Sequence, residues 1–125
     1  QYNDVWEKPG DKPPFETSLF VQTTIISVHR DGLATSDAGL KAFATDASSP
    51  LIAHGAPQGA SYFFYGDEQG GILYDPSQGR LRPGDVLACT VPHCDPTVNL
   101  YDSYAAVRGD IVEALWPIEA RGKSA

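Results

Sequence analysis

The sequence contains no methionine and only two cysteines, Cys89 and Cys94. Two thiols are too few for the disulfide framework that small secreted domains use to supplement a small core. A bridge between them would also have to fold back across Pro92. Cys89, in "DVLACTV", reads instead as a buried small hydrophobe. Cations are scarce as well: 9 Lys and Arg stand against 16 Asp and Glu, a formal net charge of -7. Nucleic acids and anionic membrane surfaces select clustered Lys and Arg, so neither is expected as a partner. No apolar run approaches the roughly 20 residues that span a bilayer. The opening "QYNDVWEKPGD" has neither the basic nor the apolar region of a secretory signal. Together with the thiol usage, this places the expected location in the cytoplasm. With no methionine at its start, the chain reads as a fragment or processed piece. Repeats and low-complexity tracts are missing. So is a Gly-rich phosphate loop: "DEQGG" follows a strand but opens no helix, and a nucleotide site is unsupported.

What remains is a chain of 125 residues, 42% hydrophobic, which suits one domain with a real core. Residues 1–125 are read as a single unit, with 1–17 as a lead-in that includes the Pro-rich loop "EKPGDKPPFE" (7–16). The β signals dominate. "SLFVQTTIISVH" (18–29) is rich in β-branched residues and ends at the Asp31-Gly32 turn. "SYFFYG" (61–66) is a second strand, with "DEQGG" as its turn and "ILYD" as its return partner. "RPGDVLACTV" (82–91) starts from a Pro-Gly turn, and alternation puts Leu87, Cys89 and Val91 on one face. "SYAAVRG" (103–109) and "DIVEALWPI" (110–118) form a closing hairpin around Arg108 to Asp110. One short helical turn is expected in "TSDAGLKAF" (35–43), capped by Ser36 or Asp37. Short strands punctuated by Gly and Pro predict a mainly β fold, a small antiparallel β-barrel or sandwich.

The stretch "VPHCDPTVNLYD" (91–102) carries the chemistry. In extended backbone the H-x-D spacing turns His93 and Asp95 to one side and Cys94 to the other. Imidazole plus carboxylate is an ordinary pairing for Mn²⁺, Zn²⁺ or Fe²⁺. Pro92 and Pro96 keep the segment out of a central strand and stiffen it as a loop, which would hold ligands at fixed spacing. A plainer use of the same residues is a histidine hydrogen-bonded to a carboxylate with no ion. Two ligands do not close a structural zinc site, although open positions are what a catalytic metal needs. Asn99, Tyr101 and Asp102 lie close enough in sequence to support the pair from behind, or only to fix the loop. Lys41 could form a Schiff base but is more simply paired with a carboxylate. Asp67 and Glu68 read as solvated turn acids, and His29 and His54 stand alone.

In order, "TSDAGLKAFATD", "YGDEQG", "RPGDVLACTVPHCDPTVNLYD" and "EALWPIEARG" strongly resemble the C-terminal domain of the D-threonine aldolase and D-serine dehydratase family, over roughly residues 18 to 122. "PHCDPTVNLYD" looks closer to the aldolase branch, since the dehydratases carry H-x-C where Asp95 stands here. The resemblance implies that His93 and Asp95 ligate a divalent metal, manganese first, with zinc or magnesium next. It implies an enzyme built like alanine racemase, in which an N-terminal α/β-barrel absent from this chain carries pyridoxal phosphate on a lysine. A homodimer is implied for the complete enzyme. The implied reaction cleaves a small D-3-hydroxy amino acid to glycine and an aldehyde. Lys41 belongs to the β-domain motif and does not replace the barrel lysine. Gln69 departs from the family's "DEHG" and is left out of the site.

Three readings compete: the metal-bearing domain of such an aldolase, a dehydratase of the same superfamily, and a stand-alone binding module. The first predicts an exposed apolar patch, and no activity from this chain alone.

Overall fold

The structure, a computed structural model, describes residues 15–123. Among these the chain forms β1 (Phe20–Arg30), β2 (Leu33–Ser36), β3 (Leu51–His54), β4 (Ser61–Phe64), β5 (Gly70–Leu73) and β6 (Val86–Thr90). A short helix, α1 (Cys94–Val98), and a hairpin of β7 (Ser103–Arg108) and β8 (Ile111–Pro117) complete it. The first six strands make one antiparallel sheet in the order β3-β6-β1-β2-β5-β4. It curls until its edges, β3 and β4, approach each other, so the sheet is a nearly closed barrel. The mainly β architecture expected from the sequence is the one observed.

β1 is the spine because it serves two partners. Phe20–Thr24 pairs with β6, and the stretch beyond it pairs with β2. The change of partner coincides with a register shift between Ile25 and Ser27, the kind of bulge that bends a strand into a barrel. Alternation then sends Val21, Thr23 and Ile25 inward against Leu87 and Cys89 of β6. Ala34 and Ile72 close that layer, and Phe43, Tyr62 and Phe64 stack edge to face over it, with centroids 5.4 to 6.3 Å apart. Each such pair adds about 0.5–1.5 kcal/mol beyond its burial. Tyr62 finishes the arrangement by donating its hydroxyl to the Ala38 carbonyl at 2.6 Å.

Two local expectations are corrected. Residues 35–43 hold no helix: Thr35 and Ser36 end β2, and the rest is a tight loop with one hydrogen-bonded turn, in which the Ala42 amide donates to the Gly39 carbonyl at 3.0 Å. Neither proposed residue caps a helix. The Asp37 carboxylate accepts from Thr23 Oγ1 at 2.7 Å and from the Thr24 amide at 2.8 Å. Fewer than three turns of helix gain little on their own, and tertiary bonds outweigh them here. Leu40 and Lys41 donate their amides to Gly66 and Asp67 at 3.0 Å each. The helix lies instead in 94–98, where extended backbone was expected. Pro96 sits in its first turn, where the missing N–H has no intrahelical acceptor to lose.

The β5 strand begins earlier than its sequence suggested, at Gly70. A Cβ on Gly70 would lie 2.3 Å from the Tyr62 ring, and one on Gly71 would lie 2.0 Å from the Phe63 ring. Those glycines are strand residues that the aromatic rings cover. The closing hairpin forms as expected around Gly109 and Asp110, with Gly109 at φ 59. Among the described residues neither of its strands packs on a third strand.

Candidate functional site

After β6 the chain bends at Pro92 and reaches His93, whose extended φ of -139 and ψ of 114 set it just before α1. The H-x-D pair is thus split between a strand-like residue and a helical one. Even so, His93 Nε2 and Asp95 Oδ2 face each other across 4.0 Å, too far for a hydrogen bond. Asp95 is 95% exposed, whereas His93 is 22% exposed, so the gap between them opens to solvent.

The other ring nitrogen is occupied. His93 Nδ1 lies 2.6 Å from Oδ2 of Asp46, a residue from the loop before β3. That bond holds the Asp46 carboxyl below the usual carboxylate range. An ionised carboxylate can only accept, so Nδ1 carries the proton in that bond, and Nε2 is the ring nitrogen that faces Asp95.

Both sides of the His93–Asp46 contact are fixed by α1 and its exit. Thr97, 2% exposed, donates its hydroxyl to the His93 carbonyl at 2.7 Å. The same oxygen accepts from the Ala44 amide at 3.0 Å, two residues from Asp46. Tyr101 donates its hydroxyl to the Ala42 carbonyl at 2.9 Å. One short segment, 97–101, therefore ties down both the histidine and the loop that brings Asp46.

Two carboxylates flank one imidazole, and among the described residues no Lys or Arg forms an ion pair with either. That donor set suits a cation. First-row ions bind such ligands at about 2.1 Å, so one ion reaches both atoms only if their separation stays under about 4.2 Å. The observed 4.0 Å is wider than the roughly 3.0–3.4 Å between ligands at octahedral or tetrahedral angles, so the exposed Asp95 side chain would have to swing inward to share an ion with His93. Among the described residues no group of three or more His, Cys, Asp and Glu is arranged to hold a metal. His93 and Asp95 would leave the remaining positions of an ion open.

The other candidates lie elsewhere. Asn99 accepts from the Gly122 amide at 3.2 Å, and Asp102 pairs with Arg121 at 2.8 Å, so both hold the 118–122 turn. Lys41 is paired with Glu68 beside a cavity of about 300 Å³ that Asp37, Asp67 and Tyr101 also line. Gln69 closes its turn through its backbone carbonyl, accepting from Gly66 at 3.0 Å. His54 packs against Phe20 in a tilted arrangement, ring centroids 5.7 Å apart. Sequence reasoning missed Asp46 and the hub role of Thr97. No spacing signal links residues 47 positions apart, and only the folded loop brings Asp46 to the ring.

A small curled antiparallel sheet, with an imidazole flanked by two carboxylates at the mouth of a strand-to-helix turn, defines a β domain that bears a polar surface site. Residues 18–107 match the family described as a serine dehydratase domain, and the chain belongs to that family. It is 37% identical over 121 residues to the 3-hydroxy-D-aspartate aldolase of Paracoccus denitrificans, covering 97% of this chain and 30% of that protein. It is 39% identical over 110 residues to the D-threonine aldolase of an Arthrobacter species, covering 88% of this chain and 28% of that protein. The crystal structure of D-threonine aldolase from Filomicrobium marinum superposes with a TM-score of 0.83 at 31% identity, covering 93% of this chain and 31% of that one. The chain thus spans less than a third of the length of these relatives. No helix among the described residues is long and apolar enough to cross a membrane.

Proposed function

We propose that this chain is the metal-binding domain of a pyridoxal-phosphate-dependent aldolase that cleaves D-3-hydroxy amino acids to glycine and an aldehyde. The observation that carries the proposal is His93 Nε2 facing Asp95 Oδ2 at 4.0 Å, in a chain 37% and 39% identical to two aldolases of such substrates. His93 and Asp95 would hold the divalent ion, with manganese the first candidate and zinc or magnesium next. Bound there, a divalent ion acidifies and positions a hydroxyl group, the chemistry that cleavage beside a 3-hydroxyl requires. This chain's own residues supply the rest of the arrangement. Thr97 fixes the backbone of His93, and Asp95 reaches into solvent where a substrate hydroxyl would arrive.

Pyridoxal phosphate, its lysine and the greater part of the catalytic groups are assigned to an α/β-barrel of the same enzyme, with a homodimer as the complete form. Lys41 supports that division, since its ammonium is engaged by Glu68. The aldolase reading is preferred to a dehydratase because Asp95, an oxygen donor, stands where the dehydratase pattern has a thiolate.

The test is calorimetric titration of the metal-stripped chain with Mn²⁺ and Zn²⁺, beside His93→Ala and Asp95→Ala. Binding to the native chain that is lost in both variants is expected. Equal binding by all three proteins, or none by the native chain, would overturn the metal reading.

A further inference from the structure

We infer that Asp46 is the positioning residue of this site: by accepting from Nδ1 it selects the tautomer of His93 and aims the Nε2 lone pair at the gap facing Asp95. A neutral imidazole free in water prefers to carry its proton on Nε2, the wrong nitrogen for this purpose. The hydrogen bond made by one ring nitrogen decides the state of the other. At 2.6 Å from Nδ1, the Asp46 carboxylate makes that decision here. It also withdraws Nδ1 from competition, so Nε2 is the ring nitrogen left for a cation.

The arrangement is built by the fold, although Asp46 itself is 54% exposed. The Asp46 loop is tied to the helix segment at Ala42 and again at Ala44. The Thr97 hydroxyl that receives the Ala44 amide is the one that holds the His93 carbonyl. Donor and acceptor of the His93–Asp46 bond are thus referenced to one buried hydroxyl. Carboxylates placed behind a ligating histidine in this way typically raise metal affinity by about 10–100-fold.

The effect on metal affinity rests on the proposed function, whereas the tautomer effect does not, and the experiment separates them. The imidazole ¹⁵N shifts of the metal-free chain are followed through an alkaline pH series until they stop changing, and the tautomer is read on that plateau. The native chain and Asp46→Asn, whose amide oxygen still accepts, are expected to show the proton on Nδ1. Asp46→Ala is expected to move it to Nε2. Titration with Mn²⁺ is then expected to weaken by about 10–100-fold in Asp46→Ala, with most of the loss recovered in Asp46→Asn. Matching urea midpoints check that the exposed loop position leaves the fold intact. Asp46→Ala that keeps the proton on Nδ1 would overturn the inference. So would Asp46→Ala that binds Mn²⁺ as tightly as the native chain. If the native chain binds no Mn²⁺, the metal reading falls, and the ¹⁵N shifts alone decide the role of Asp46.

Discussion

Replacing Thr97 by Val tests whether one hydroxyl organises the site. The two side chains have nearly the same shape, so the change removes two hydrogen bonds and little else. One of them comes from the Ala44 amide, which is buried along with its acceptor. A buried donor left without a partner costs about 1–3 kcal/mol. The other goes to the His93 carbonyl, which is only partly buried and can recruit water, so its loss adds about 1 kcal/mol. The expected destabilisation is about 2–4 kcal/mol, a large share of the 5–15 kcal/mol typical of a domain. With a urea slope of about 2 kcal/mol per molar, the midpoint should fall by about 1–2 M. Thr97→Ser provides the control, because it keeps the hydroxyl and gives up one buried methyl, worth about 0.8 kcal/mol.

Hydrogen exchange gives the local readout. The Ala44 amide should be protected in the native chain and in Thr97→Ser, and should exchange freely in Thr97→Val. A Thr97→Val protein within about 0.5 kcal/mol of native, or more stable than Thr97→Ser, would refute the reasoning.

Other perturbations address the rest of the molecule. Gly39→Ala should destabilise by about 3 kcal/mol or more in urea, because the new Cβ would meet Gly66 O at 2.3 Å, Gln69 N at 2.5 Å and Asp67 O at 2.7 Å, all backbone; a neutral change would mean the two turns are not interlocked. Alkylation at about pH 8 should label exposed Cys94 and spare Cys89 until the chain unfolds, which mass spectrometry of the peptides reads directly. Burial pushes the Cys89 thiol from 9.0 up to about 11. A folded value above the unfolded one means that its contribution is complete below about pH 9 and fades as pH rises toward 11, by about 2–3 kcal/mol in a denaturation series. On the hairpin, Val112→Thr with Leu115→Thr should cut binding of a hydrophobic reporter dye while the urea midpoint of the barrel stays put. Both side chains lie on its outward face, 57% and 70% exposed; unchanged fluorescence would place the apolar patch elsewhere.

The strands that were legible in the sequence are those whose signal is local. β1 declares itself through a run of β-branched residues ending at Asp31-Gly32, and β6 through alternating Leu87 and Cys89 after a Pro-Gly turn. The β7–β8 hairpin follows from its turn. β2 was obscured because "TSDAGLKAF" carries a helix-like composition, and four residues, Leu33–Ser36, give no period long enough to contest it. Their strand state comes from pairing on both sides, with β1 and with β5. α1 was obscured by Pro96, whose usual meaning as a helix breaker fails at one place only, the first turn.

The candidate site divides the same way. His93 and Asp95 are visible because they are two residues apart and chemically suited to each other. Their spacing alone cannot say which imidazole nitrogen is free, and that is the property a cation would sense. The answer lies with Asp46, which no local pattern connects to His93. It reaches the ring because the Thr97 hydroxyl and the Tyr101 hydroxyl hold its loop against the helix segment. A motif can therefore name ligands, while their protonation state belongs to the fold. A chain that kept "PHCDPT" and lost Asp46 would look unchanged in that motif and differ in the chemistry of Nε2.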